Sequence, residues 1–444
     1  MLKRSFLARN TTSTQPSSNG YPSPHTPTTQ NTSFPGKTEA DVVVIGSGIA
    51  GLCCAGLLSK YQQDALVLES HSLLGGAAHS FEKKGYKFDS GPSLFSGFQS
   101  RGPQANPLAQ VLDALGESIP CVNYDSWMVY LPEGSMQVLM LGENGENFLE
   151  WYKPGCSLEY PIHGTGAVVD ALVCGLQKFV GRISFKSHVE NIVVENGRAV
   201  GVKLRSGQFV RAKKAVVSNA SMRDTLDLLP KEVIPKSYQD RIKMTPQCES
   251  FMHLHLGFDA EGISDDLKIR HTVVNDWERG ADADQNVVLI SIPSVLSPDL
   301  APPGKHVLHA YMSGTEPFGL WEDLIVKVLN TKNSKLKDLS VLWRAVERAV
   351  GPGFDREKCE VKLVGTPLTH RRFLRRNRGS YGPVIQASKG TFPGHSTLIP
   401  QLYCCGDSTF PGIEVPAVAA SGAIVANSLV SVSQRSELLD AVGK

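Results

Sequence analysis

An α/β fold is predicted from this sequence, with one domain assembled from separated segments and a second domain of mixed α+β type. Three observations predict it. Residues 41–54 read DVVVIGSGIAGLCC, an apolar β-branched run that breaks into glycines and then into small and apolar residues. That is the outline of strand, tight turn and helix. Residues 187–219 change to period-two alternation with turn signals, the pattern of an antiparallel meander. Near the C-terminus QLYCC runs into Gly406-Asp407, and a helix rich in small residues begins at about Pro416.

In chain order, the first helix runs to about Tyr61 and a second strand, Ala65 to Glu69, completes a βαβ unit. The meander then reads as Val189 to Val194, a turn at Asn196-Gly197, Ala199 to Leu204, a turn at Ser206-Gly207, and Phe209 to Val217. Residues 220–390 mix patterns, with a strand at Phe251 to Phe258 and mainly helix from Leu320 to Ala349. A last strand, Gln401 to Cys405, precedes the final helix. The expected division is a leader at 1–38, a dinucleotide domain at 39–100, 151–220 and 391–435, a substrate domain at 101–150 and 221–390, and a tail at 436–444.

The bulk numbers narrow the function. At 444 residues, 41% hydrophobic and 20% charged, the chain is long enough for a large core or two. A net charge of +2 gives no global field for nucleic acid. Nine cysteines without a CxxC pair point to reduced, mostly buried thiols, not to a disulfide framework or zinc site. No run of eighteen apolar residues is present, so no membrane span is predicted; Val415 to Val430 reads as a buried helix. The first 38 residues hold fourteen Ser or Thr and four Lys or Arg, and no acid precedes Glu39. That composition predicts a plastid transit peptide, with a mitochondrial one as the alternative.

Gly46-x-Gly48-x-x-Gly51 follows a strand and opens a helix, and Glu69 ends the next strand eighteen residues past Gly51. The glycines permit a turn, a close approach of pyrophosphate and tight helix packing. The helix start offers free N–H groups, and Glu69 can accept from a ribose hydroxyl. NAD and FAD both suit this unit. The Gly75-Gly76 doublet, the meander, and the strand ending in Gly406-Asp407 favour FAD in a Rossmann-like domain of the glutathione-reductase type. An Asp at 407 can bind the ribityl hydroxyls, and the following helix start can stabilise a reduced ring. No second GxGxxG is found for NAD(P)H, and no cysteine pair for disulfide reduction.

Several of these segments, DVVVIGSGIAGLCCAGLLSK, LLGGAAHSFEKKGYKFDSGPSLFSG, YPIHGTGAVVDALV, VVSNA and CCGDSTFPGIEVPAVAASG, resemble the carotenoid isomerase and phytoene desaturase family of FAD-dependent oxidoreductases. The likeness is greatest to its plant chloroplast, prolycopene-isomerase-like branch. It implies FAD, a long apolar polyene substrate, a quinone or other electron acceptor, peripheral contact with plastid membranes, and cis-trans isomerisation or desaturation. It implies that Gly46, Gly48, Ala50 and Gly51 line the pyrophosphate, with Glu69 on the ribose. Gly75, Gly76 and Ala77 pass under the flavin side, and Val189 meets the adenine through its backbone. Asp407, after Gly406, binds the ribityl chain, and Gly412, Ile413, Glu414 and Val415 approach the ring. Family members carry a long helical segment where this sequence goes almost directly from Leu141 to EWYKPGC.

Smaller signals remain. Glu414 is the candidate catalytic acid, or simply an acid at a helix start. His253-x-His255 offers two imidazoles on one strand face without a third ligand in view, so core histidines and no metal are expected. The basic run 370–378, HRRFLRRNR, reads as a solvated or ion-paired helix end, or a contact for anionic lipid. Two rival functions stay open: an amine-oxidase-like flavoenzyme, for which no aromatic cage is legible from spacing, and an inactive FAD-binding variant lacking part of its cavity wall.

Overall fold

A computed structural model describes residues 38–91, 93–139, 157–322, 339–385, 388 and 390–441. The leader expected at 1–38 and the junction between Leu141 and Trp151 fall almost wholly outside these.

The apolar run of the first motif forms the strand Glu39–Ile45, buried on both faces as its unbroken hydrophobicity requires. Strands Ala65–Leu68 and Phe209–Ser218 flank it in parallel, Arg182–Ser184 extends one edge, and Leu402–Cys404 pairs in parallel with Phe209–Ser218. Strands Val189–Glu195, Arg198–Leu204 and Phe209–Ser218 make the expected antiparallel meander in the same sheet. Its first turn holds Asn196 at φ +51° and Gly197 at φ +76°, the left-handed pair that a tight hairpin needs.

Four helices cover one face. Ile49–Lys60 lies against Val415–Ser428, so the first and last parts of the dinucleotide fold meet directly. Their backbones touch: a Cβ on Gly422 would fall 2.2 Å from the Ala50 carbonyl oxygen, which explains the small-residue composition of the later helix. Pro107–Leu115 and Thr165–Lys178 complete the layer, with Leu115 seated against Gly56 and Gly175.

The second sheet has the order Val361–Gly365, Ser250–Asp259, Lys305–Glu316, Val287–Ser291, Arg270–Val274, Ser126–Leu131, Gly134–Leu139. It is antiparallel except where Arg270–Val274 meets Ser126–Leu131. The amphipathic helix Ser340–Val350 packs on it around Trp321 and Leu342. The described part of 101–150 therefore divides: helix Pro107–Leu115 joins the dinucleotide layer, and strands Ser126–Leu131 and Gly134–Leu139 join the second sheet. The mainly helical stretch expected from Leu320 to Ala349 is described only at Gly319–Glu322 and Ser340–Val350. Eight described cysteines are free thiols, and Cys53, Cys54, Cys359 and Cys405 are buried.

Candidate active site

A cavity of about 630 Å³ opens where the C-terminal ends of the parallel strands face the second sheet. Gly46, Gly48 and Ala50 form its floor, and Glu69 stands at the end of the neighbouring strand. Gly46 sits at φ +90°, so the turn selects glycine there. The segment Gly75, Gly76 and Ala77 crosses over this loop. The Gly75 N–H donates to the Ser47 carbonyl at 3.1 Å, and a Cβ on Gly76 would lie 3.0 Å from Gly48 Cα. Val189 lines the adjoining wall, and Gly406, Asp407, Ile413, Glu414 and Val415 close the side opposite.

Two expected residues do not reach the cavity. Gly51 is behind its wall, where a Cβ would fall 2.3 Å from the Gly46 carbonyl oxygen; its role is helix packing. Gly412 abuts the Phe392 ring, 2.9 Å from where its Cβ would be, and so sets the path of the loop rather than the lining.

Glu69 is 7% exposed. Its carboxylate accepts from the Ser47 N–H at 2.9 Å, the Ser47 hydroxyl and the His71 N–H at 2.7 Å, which hold it rigidly at the cavity edge. Asn219 went unassigned in the sequence, although VVSNA carries it. With its amide oxygen turned to the loop it accepts from Gly48 N–H at 3.2 Å and Gly51 N–H at 3.3 Å. It thereby ties the third strand to the start of helix Ile49–Lys60, which has no side-chain cap of its own.

Asp407 is placed as expected, but its carboxylate already has a partner. Arg376, from the basic run 370–378, donates to it and to the Ser380 carbonyl at 2.9 Å, and lies 5.1 Å from the Tyr381 ring centroid. The run is thus not one patch. Arg376 is an interior ion-pair residue, His370 is buried, and Arg371 and Arg378 stand over the Phe318 ring. Asp224, also missed, accepts from the Asn377 N–H at 3.0 Å and faces the cavity. Glu414 precedes helix Val415–Ser428 at φ +86°, a conformation few non-glycine residues adopt. Its side chain borders the open cavity, yet the surrounding protein pushes its carboxyl above the usual range by desolvation.

The far wall belongs to the second sheet and to the segment around Tyr381. Phe251, Leu289, Tyr311 and Tyr381 line it, and the Phe251 and Tyr381 rings meet edge to face at 4.4 Å. Spacing could not show this aromatic group, because Phe251 and Tyr311 come together only through pairing of distant strands. The same pairing corrects the expectation of no third imidazole: His253, His255 and His309 have nitrogens within 4.8 Å of one another. The arrangement still does not suit a metal. His255 stacks on His309 with planes 6° apart and centroids 4.3 Å apart. A metal lies close to the plane of each imidazole it binds, and two stacked parallel planes share no such point.

A glycine-lined floor, a helix start that opens on it and a buried carboxylate at the cavity edge fit a dinucleotide cofactor. Residues 44–115 match the model of the NAD(P)-binding Rossmann-like domain, and residues 142–430 match that of the flavin containing amine oxidoreductases. The chain belongs to the flavin-containing amine oxidoreductase family. Its cofactor is FAD, and it is a flavin-dependent oxidoreductase related to the carotenoid isomerases. The chloroplastic prolycopene isomerase of Arabidopsis thaliana is 28% identical, with 91% of this chain and 85% of that protein covered. Prolycopene isomerase 1 of an Oncidium hybrid cultivar, also chloroplastic, is 30% identical over 91% of this chain and 86% of its own length. Among solved structures, an oxidoreductase from Methanosarcina mazei superposes with a TM-score of 0.61 at 20% identity, covering 87% of this chain and 99% of that one. Among the described residues no helix is long and apolar enough to cross a membrane.

Proposed function

We propose that this flavoenzyme acts on a carotenoid-like polyene in a plastid, by cis-trans isomerisation or by desaturation. The observation that carries the substrate class is the far wall. It is built of Phe251, Leu289, Tyr311 and Tyr381; beside them His253 and His370 are held neutral by burial, and the Arg376 charge next to Tyr381 is paired with Asp407. An apolar chain loses little by entering such a space, and the aromatic faces contact a conjugated chain over its length.

In this reading Glu69 and Val189 hold the adenosine end of FAD, and Gly46, Gly48 and Ala50 admit the pyrophosphate. Gly75, Gly76 and Ala77 on one side and Ile413, Glu414 and Val415 on the other flank the ring. Bound FAD supplies the electron chemistry that side chains lack. Arg376 fixes the Asp407 carboxylate beside Gly406, so that one oxygen is committed to the guanidinium while the rest of the group faces the ribityl region. Glu414, with its pKa raised by desolvation, holds or returns a proton at its carboxyl next to the ring. Desaturation additionally needs an electron acceptor, for which an apolar quinone suits the site.

Peripheral membrane contact belongs to the same proposal. A second cavity of about 820 Å³, lined by Val233, Tyr238, Ile242, Val384 and Leu398, opens on the other side of Ala220. Around it Val233, Val384 and Leu398 are exposed, as are Met244 and Phe410 next to its lining in sequence. A set of apolar side chains beside Lys236 and Lys243 suits an anionic lipid surface. Nucleic acid is no part of the reading. The plastid address rests on the leader composition and on chloroplastic relatives.

Phe251 and Tyr381 favour one further reading, oxidation of a neutral amine held against this aromatic surface. The purified full chain, carrying FAD and chemically reduced, is incubated with a poly-cis-carotene and the products are separated by chromatography. Conversion of the carotene without peroxide release supports the proposal. Amine-dependent peroxide without carotene conversion replaces it with the second reading, and bound FAD without either activity leaves a non-enzymatic flavin-binding variant.

A further inference from the structure

Strands Ser250–Asp259 and Lys305–Glu316 pair antiparallel, with His255 opposite His309 and His253 opposite Tyr311. His253 Nδ1 and His309 Nε2 are 2.6 Å apart. Their ring centroids are 4.9 Å apart and their planes differ by 11°. The two rings therefore lie edge to edge in nearly one plane, with the facing nitrogens on the line between them. This is the geometry of an N–H···N hydrogen bond in which one imidazole donates and the other accepts.

The outer nitrogens are as informative as the inner ones. His253 Nε2 and His309 Nδ1 are both buried and neither has a hydrogen-bond partner. His253 is 3% exposed and lines the cofactor cavity. His309, also 3% exposed, lines a separate void of about 10 Å³ beside Lys87, Asp89 and Ser93. That volume is on the scale of one water molecule. Burial holds both imidazoles well below their ordinary pKa, helped by His370 and His255 near His253 and by His255 and Arg270 near His309. Tyr311 stacks beside both rings. His255 is not in the line, because its Nε2–H donates to the Asp89 carbonyl at 3.1 Å and its ring stacks on His309. Two neutral, in-line imidazoles thus run from the cofactor cavity to this void, with Ser93 bordering both spaces.

We propose that His253 and His309 form a proton relay between the flavin cavity and the void beside Asp89; this rests on the cofactor reading above. Outward transfer forms a bond from an incoming proton to His253 Nε2 and breaks His253 Nδ1–H. The released proton bonds to His309 Nε2, and His309 Nδ1–H breaks to give its proton to water in the void. No electrons are transferred, both rings end neutral, and their tautomers are exchanged. Inward transfer restores them. A reaction cycle that takes up one proton and later returns it resets the pair without either ring turning.

The test uses the full chain with FAD bound and histidines labelled with ¹⁵N. One proton resonance coupled to two histidine nitrogens is expected, and it is lost in His253→Gln and in His309→Gln. In His309→Gln the amide oxygen still accepts from His253 but passes no proton on. Bound FAD and unfolding midpoint stay unchanged, while proton uptake on chemical reduction, followed with a pH indicator, slows at least about tenfold. In His309→Ala added imidazole restores the fast uptake, which a purely structural role would not allow. A folded, FAD-loaded wild-type chain without the doubly coupled resonance overturns the proposal, as does uptake in His309→Gln at the wild-type rate. A chain that binds no FAD overturns the cofactor reading instead, and the resonance is read independently of it.

Discussion

Gly51→Ala is the sharpest test of how the cofactor loop is built. The added methyl would lie 2.3 Å from the Gly46 carbonyl oxygen and 2.9 Å from the Asn219 amide. Asn219 can turn, but the Gly46 backbone cannot easily yield, since its N–H is bonded to the Leu68 carbonyl at 2.9 Å within the sheet. Nor can helix Ile49–Lys60 lift away, because Gly422 already presses on Ala50 from the other side. The helix start must still move by about 1 Å to reach ordinary contact distance, an overpacking cost toward the upper part of ~1–3 kcal/mol. The same movement displaces Gly46 and Gly48 from the pyrophosphate path, and a loss of about 1.4 kcal/mol there weakens binding about tenfold. The assay is urea unfolding of the apoprotein, with fluorescence titration of FAD. Gly197→Ala is the control, in an open hairpin turn at φ +76° with nothing near its Cβ. That strain costs about 1 kcal/mol and leaves FAD affinity alone. Equal stability loss in the two variants, with FAD affinity unchanged in both, would refute the reasoning.

Other expected outcomes are these. Arg376→Met leaves the Asp407 carboxylate buried without its cation and lowers stability by about 3 kcal/mol, whereas Arg376→Met with Asp407→Asn loses less than the two single changes together; a double-mutant cycle by urea unfolding measures it. Glu69→Gln keeps the shape of the cavity edge but weakens the hydrogen bonds from Ser47 and His71, and FAD affinity, read by titration, falls about tenfold. Burial lowers His255 and His271 to about 4 from 6.5, so their contribution is fully present above pH 6.5 and is lost as pH falls toward 4. Each accounts for about 2 kcal/mol of lost stability at pH 5, and unfolding midpoints at pH 7 and 5 in His271→Gln against the parent check this.

Much of the cofactor side was legible because its signals are local. A β-branched run, three glycines and an acid at the next strand end follow from backbone requirements within about thirty residues. Thirteen of the fifteen residues expected to bind cofactor line the cavity. What escaped depends on pairing between distant strands and on side chains that support others. Asn219 caps a helix more than 160 residues earlier, and nothing in VVSNA announces that role. The basic run read as a solvated or ion-paired helix end, but nothing in it singled out Arg376 as the member that meets Asp407. The aromatic wall and the His253–His309 contact follow from the register of two strands some fifty residues apart, which composition does not encode.

The crossing of Ala50 by Gly422 also has a consequence for how the protein comes into being. The wall that closes over the glycine loop, from Gly406 to Val418, is translated some 350 residues after the loop itself. Until then helix Ile49–Lys60 has an uncovered apolar flank and no finished place for a flavin. Loading with FAD therefore has to wait until that wall has been made, and a product terminated before it would be both colourless and exposed to proteases. Cofactor retention thus works as a check that translation has passed the wall from Gly406 to Val418.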